Sequence, residues 1–238
     1  IQTNAAGSIT TLSYNQRGQK KAMQDPVMGS WIYGYNVFGE LVTQRDSLGQ
    51  SSTMAYDQLG RMTQRTEPDL LSEWKYDTKF DNSACGKSVG KLCEAKSNNG
   101  YNRQHSYDDK GRLSSTATVL DNAAAPAIVS ESFDINTGRV LTKTWPSGYQ
   151  ASYGYSPLGY LTSVTGGGSN GFSESVSYQV LAMNPQGQIT QYRYGNQITT
   201  VKDINAINRL KGQTATQDGQ GTGNVLNQSY SYNALGNL

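Results

Sequence analysis

YDQLGR at residues 56–61 returns as YDDKGR at 107–112, and in looser form as YNQRGQ (14–19), YNVFGE (35–40), YSPLGY (155–160) and YNALGN (232–237). An aromatic, a polar step and a glycine keep their offsets while the residues between them change. Aligned on Tyr-x-x-x-Gly-x-Leu, the copies start at Tyr14, Tyr35, Tyr56, Tyr76 (glycine missing), Tyr107, Phe133 (one residue inserted), Tyr155, Met183, Ile204 and Tyr232. The base spacing is 21 residues, stretched to 31 between Tyr76 and Tyr107. A fixed period of this size marks a repeat array.

The flanking stretches SWIYGY (30–35), QASYGY (150–155) and QSYSY (228–232) alternate rather than follow a helical period. They are rich in residues that favour strands. A period of 21 holds two strands and two turns, so each copy predicts one β-hairpin. Asp57 opens a type I turn and Gly60 supplies the left-handed residue after it. That is a three-residue hairpin with a glycine bulge. Tyr56 then faces Met62 and Asp57 faces Arg61. The next copy sets Tyr107 against Leu113 and Asp108 against Arg112. The reading places Tyr with Leu on one face and Asp with Arg on the other. The same turn is expected at Gly18, Gly39, Gly111, Gly159 and Gly236. A lone hairpin is marginal in water, so successive hairpins are expected to pair edge to edge into a solenoid-like sheet.

Composition supports an all-β reading. Hydrophobic residues are 35% of the 238, with 26 glycines and 16 tyrosines, and charged residues are only 16%. This is below the usual apolar share of a globular domain and short of the charge-rich disordered class. It predicts a curved sheet around an open, partly polar cavity rather than a filled sandwich. Twenty basic and 18 acidic residues are spread evenly, with no basic stripe for nucleic acid. No apolar run approaches the 18 residues of a membrane span.

The array of Y-D-x-x-G-R phrases covers essentially all of residues 1–238 and resembles the YD-repeat, or RHS-repeat, proteins. These include bacterial polymorphic toxins, the B and C components of insecticidal Tc toxins, and the animal teneurins. The resemblance implies a curved, spiralling sheet of stacked antiparallel hairpins, part of a hollow shell. About ten repeats are expected, with an insertion loop at residues 80–100. It implies a structural role as a wall segment of a shell that encapsulates and helps deliver a toxic C-terminal cargo. The partners would be further repeats and that cargo, in a secreted or cell-surface bacterial protein. The sequence lacks the family's Pro- and Asp-rich associated core and any toxin segment, and reads as a piece of a longer chain. An adhesion or carbohydrate-binding array, and a polysaccharide-degrading enzyme, are the alternatives.

Candidate sites outside the motif are sparse. Cys85 and Cys93 bracket an eight-residue step in the longest insertion, as a staple or as two free thiols. The export implied by the resemblance favours the disulfide. A zinc site from these two and His105 lacks a fourth ligand. GKSVGK (86–91) is one residue short of a phosphate loop. TGGGSNG (165–171) and GQGTGN (219–224) read as loops. Asn227-Gln-Ser229 is a glycosylation triplet of use only in a eukaryotic secreted chain. His105 stands alone, so no hydrolase triad is visible. Glu67–Asp69 and Asp108–Asp109 read as solvated turn residues. Trp31, Tyr33, Tyr35, Trp74, Tyr76, Trp145, Tyr149, Tyr153 and Tyr155 are expected to stack as ladders from repeat to repeat, or to offer sugars a stacking surface. No catalytic residue, metal or cofactor is expected.

Overall fold

The computed structural model describes residues 2–3, 9–121, 123–168, 175–218 and 224–237, and every regular element among them is a strand. The chain forms two compact units, residues 1–128 and 129–238. The first holds β1 (Gln2–Thr3), β2 (Ile9–Tyr14), β3 (Lys20–Asp25), β4 (Gly29–Tyr35), β5 (Leu41–Arg45), β6 (Ser51–Tyr56), β7 (Met62–Thr66), β8 (Leu71–Tyr76), β9 (Leu92–Ser97), β10 (Asn102–Tyr107) and β11 (Leu113–Val119). β12 (Ala127–Phe133) runs across the boundary. The second unit continues with β13 (Val140–Thr144), β14 (Tyr149–Tyr155), β15 (Leu161–Gly168), β16 (Ser175–Met183), β17 (Ile189–Tyr194), β18 (Ile198–Ile204), β19 (Leu210–Gln217) and β20 (Asn224–Ser229).

Within each unit, strands pair antiparallel with their neighbours in sequence. Each unit is therefore a run of hairpins in one layer. The motif fixes where each hairpin turns. Nine copies, from Tyr14 to Ile204, place their aromatic or apolar residue last in its strand, and the register shifts at that residue each time. Tyr56 pairs with Met62 and Tyr107 with Leu113 across that bulge. Gly60 N–H donates to the Asp57 carbonyl at 3.0 Å, and Asp57 N–H to the Arg61 carbonyl at 2.9 Å. Gly18, Gly39, Gly60, Gly111, Gly159 and Gly236 all have positive φ, from 74° to 91°.

Little is buried. β6 shows the alternation well: Ser52 and Met54 point inward and Ser51, Thr53 and Ala55 outward. The buried apolar residues among those described are Met54, Cys85, Cys93, Ala95, Ala151 and Ala215. The accessible surface is 15337 Å² for a 25.9 kDa chain, against about 10,500 Å² for a folded monomer of that mass. A second layer packed on the sheet would remove this excess.

Two sequence expectations shift. The insertion occupies residues 77–91 rather than 80–100, because residues 92–97 are β9, paired with both β8 and β10. Asp77 N–H donates to the Lys91 carbonyl as Asp57 does to Arg61, and Gly90 at φ +79° takes the place of the glycine missing four residues after Tyr76. The ten extra residues thus sit inside the turn and leave the strand register whole. Thr165–Gly168 lies in β15 and is not loop, because Tyr149 on β14 covers Gly166 and leaves no room for a side chain there. Residues 169–171 and 219–223 lie outside the described residues.

Candidate functional site

The side chains that converge most regularly lie along the turn edge of the hairpins. Most of these turns are closed first by an Asx contact. Asp57 Oδ1 accepts the N–H groups of Leu59 (2.9 Å) and Arg61 (3.0 Å), and Asp108 Oδ1 those of Lys110 and Arg112. Asn15, Asn36, Asn184, Asn205 and Asn233 do the same in copies without an Asp. The acidic residue of the motif is therefore a turn acceptor before it is a charge. Its carboxyl at Asp57 is held below the usual carboxylate range by the Arg61 N–H, against the opposing pull of burial, and further by the Arg61 side chain. Ion pairs Asp57–Arg61 and Asp108–Arg112 both close at 2.7 Å.

Six of the turns are then tied to the one before them. The Tyr35 hydroxyl donates to the Lys20 carbonyl (3.0 Å), Tyr56 to Leu41 (2.8 Å), Tyr76 to Met62 (3.1 Å), Tyr107 to Leu92 (2.7 Å), Tyr155 to Val140 (3.0 Å) and Tyr232 to Leu210 (2.9 Å). In five of the six the accepting residue follows the one that comes just after the previous turn's glycine, and before Leu210 the place of that glycine is taken by Asn208 at φ +62°. The residue just before the acceptor supplies the second half of the joint. Arg61 lies over the Tyr76 ring at 4.4 Å, Lys91 over Tyr107 at 4.9 Å, Arg139 over Tyr155 at 5.7 Å and Arg209 over Tyr232 at 5.4 Å. Side chains in this place crowd the next glycine at several joints, though a Cβ on Gly90 would meet nothing within 4 Å. A Cβ on Gly60 would stand 2.9 Å from Glu40 Oε1, and one on Gly111 2.7 Å from Lys91 Nζ. Gln19 donates to the Gly39 carbonyl at 3.3 Å and Gln188 to that of Asn208 at 3.4 Å. The four joints with a basic residue combine a hydrogen bond worth about 0.5–1.5 kcal/mol with a cation–ring contact worth about 0.5–1 kcal/mol, whereas the Tyr35 and Tyr56 joints carry Gln19 and Glu40 in that place.

This arrangement corrects two readings. Arg61 reaches the next repeat's tyrosine and also Asp77 at 2.9 Å, so Asp/Arg and Tyr/Leu do not keep to separate faces. The aromatic pairs seen among the described residues do not run from repeat to repeat either. Their contacts lie within a hairpin, as in Trp31–Tyr33, Trp145–Tyr149 and the Tyr178–Tyr192–Tyr194 group, while basic side chains fill the steps between motif tyrosines.

The insertion folds onto the β8–β10 strands. Cys85 and Cys93 are joined by a disulfide with their Cα atoms 5.9 Å apart, and Cys93 has no exposed surface. Buried Glu94 accepts the Phe80 N–H at 2.9 Å and the Asn102 side-chain amide at 2.8 Å. Ser88 donates to the Asp77 carbonyl. His105 lies on β10, 3.1 Å from Thr116 Oγ1, and burial, aided by Arg103, lowers its pKa. Glu67 pairs with Arg65 at 2.7 Å. Among the described residues no group of three or more His, Cys, Asp or Glu could hold a metal, and no helix is long and apolar enough to cross a membrane.

A family model for the RHS repeat matches residues 35–69, which run from one motif tyrosine through the next. Residues 35–69 are thus similar to an RHS repeat. The fold of the chain is similar to that of several solved toxin structures. A chain of the Photorhabdus luminescens Tc holotoxin pore superposes with a TM-score of 0.73 at 16% identity, over 96% of this chain and 12% of that one. The crystal structure of TcdB2-TccC3 gives 0.75 at 16% identity, over 95% and 12%. TcdB2-TccC3 without its hypervariable C-terminal region gives 0.58 at 16% identity, over 98% and 14%. The chain thus spans 12–14% of the length of these structures. No curated protein matches it by sequence.

Proposed function

We propose that the chain is a wall segment of an RHS-repeat shell, that the shell belongs to a longer extracellular polypeptide, and that it encloses a C-terminal cargo of that polypeptide. The observation that carries the reading is the single-layer sheet. Its hairpins are joined edge to edge and at their turns, and the motif carboxylates Asp57 and Asp108 are engaged in holding turns. The likeness to Tc toxin structures supports it. A sheet of this kind confines by surrounding, and needs no binding pocket of its own. The chain itself is then not an enzyme.

Protease protection of the C-terminal segment tests this on the intact polypeptide. Digestion at neutral pH is expected to spare that segment, and digestion after partial denaturation to remove it. A C-terminal segment cut equally fast in both states would overturn the encapsulating role.

A further inference from the structure

Glu40 is the odd member of the turn-edge series. It holds the place that Arg61, Lys91, Arg139 and Arg209 hold at other joints, and those four lie over the tyrosine of the turn that follows. From the same place Lys91, Gln19 and Gln188 donate to the carbonyls of Gly111, Gly39 and Asn208 in the next turn. A carboxylate can do neither. Glu40 Oε2 accepts the Asn36 side-chain amide at 2.5 Å, and Oε1 stands 2.9 Å from where a Cβ on Gly60 would lie. None of the ion pairs among the described residues includes Glu40, and none of their cations lies over the Tyr56 ring. Burial, and after it the charge of Glu40, raise the pKa of the Tyr56 hydroxyl, so the carboxylate is felt at that ring. Between the two turns lies an open groove of about 570 Å³, walled by Phe38, Glu40, Val42, Met54, Tyr56 and Asp57. Asp57 is already paired with Arg61, which leaves Glu40 as the uncompensated charge of the groove.

We propose that this groove binds an arginine side chain of a partner polypeptide, whose guanidinium takes the place over Tyr56 that the chain's own basic residues fill at the other joints. Those joints define the occupant: a side chain, cationic, over a tyrosine ring at 4.4–5.7 Å. The negative face of the ring and the Glu40 carboxylate both favour a cation over a neutral or anionic group. Arginine fits better than lysine, because its planar guanidinium stacks on a ring while its fork of N–H donors serves a carboxylate oxygen beside it. Its apolar stem matches the wall of Phe38, Val42 and Met54. The Tyr35 joint differs, since its Gln19 is neutral and already bonds the Gly39 carbonyl at 3.3 Å. The groove's chemistry owes nothing to the wall reading.

The test titrates the 238-residue chain with Nα-acetyl-argininamide and follows two NMR signals, the Tyr56 ring (assigned with Tyr56→Phe) and the Gly60 amide. Saturable shifts of both are expected in the millimolar range. Nα-acetyl-citrullinamide, of the same shape without the charge, is expected to leave them in place. Glu40→Gln should weaken binding about tenfold, the factor that corresponds to one charge-assisted hydrogen bond. Glu40→Arg should abolish it by supplying the cation from within, as Arg61 does at the next joint, and should raise the urea midpoint. Both variants keep the turn, since Gln19 and Arg61 hold this place elsewhere, and the near-isosteric Glu40→Gln decides alone if Glu40→Arg does not fold. Absence of a saturable shift, an equal response to the citrulline derivative, or unchanged affinity in Glu40→Gln would overturn the proposal. The same shifts produced by calcium chloride at matched ionic strength would assign the groove to a metal ion and overturn it as well. None of these outcomes bears on cargo protection, so the two readings fail separately.

Discussion

Gly60 and Gly18 share a backbone conformation, at φ +74° and +75°, and differ in what stands against them. Alanine at either position costs about 1 kcal/mol for the left-handed backbone. At Gly60 the new methyl also displaces Glu40, so Gly60→Ala is expected to lower stability in urea more than Gly18→Ala; equal losses would remove the neighbour from the account. The tyrosines give a parallel contrast. Tyr56→Phe forfeits the bond to the Leu41 carbonyl and is expected to cost about 0.5–1.5 kcal/mol, whereas Tyr14→Phe should be near neutral. Asp57 adds a pH dependence. Its folded pKa is depressed, chiefly by the Arg61 N–H. Its contribution is therefore complete above the unfolded carboxylate value, about pH 4, and is lost as the pH falls through the lower folded value. Asp57→Asn keeps the turn acceptor, as Asn36 shows, and removes the charge. Acid titration of stability should fall less steeply below about pH 4 in this variant than in the parent; identical slopes would place the acid sensitivity elsewhere.

At the scale of the element, the hairpin was legible and the joint was not. Tyr-x-x-x-Gly offsets and a 21-residue period imply turns, register and bulge, because all three follow from local backbone chemistry. What covers Gly60 comes from Glu40, one repeat away, and its identity varies among Gln19, Glu40, Arg61, Lys91 and Arg139. A position so variable leaves no motif to read; the usable signal was its constant place just after each turn glycine. The Gly-rich run at 165–168 misleads for a similar reason, since the ring that requires Gly166 comes from Tyr149 on the facing strand. Only the structure placed the insertion inside a turn. Its disulfide closes a loop worth about 2–3 kcal/mol in the chain-entropy model. Replacing Cys85 and Cys93 together by Ser is expected to lower the denaturation midpoint of the first unit by a corresponding amount. With Cys93 fully buried, reductant without denaturant should leave the disulfide intact over the time it takes to reduce the unfolded chain. Rapid reduction of the native protein would show that the insertion does not stay packed on β8–β10.

For the molecule as a whole, hairpin pairing and turn-edge joints replace the buried core that usually holds a chain of this length. The sequence foretold this in its low hydrophobic content, though not how the turns would be tied. Unfolding a packed domain exposes apolar surface and raises the heat capacity by about 12–15 cal/mol/K per residue. A sheet that already exposes 15337 Å² has less to reveal. The heat-capacity change of unfolding, measured by scanning calorimetry on residues 1–238, is therefore the most direct test. The single-layer account predicts a value clearly below about 12 cal/mol/K per residue, and a value within or above that ordinary range would contradict it.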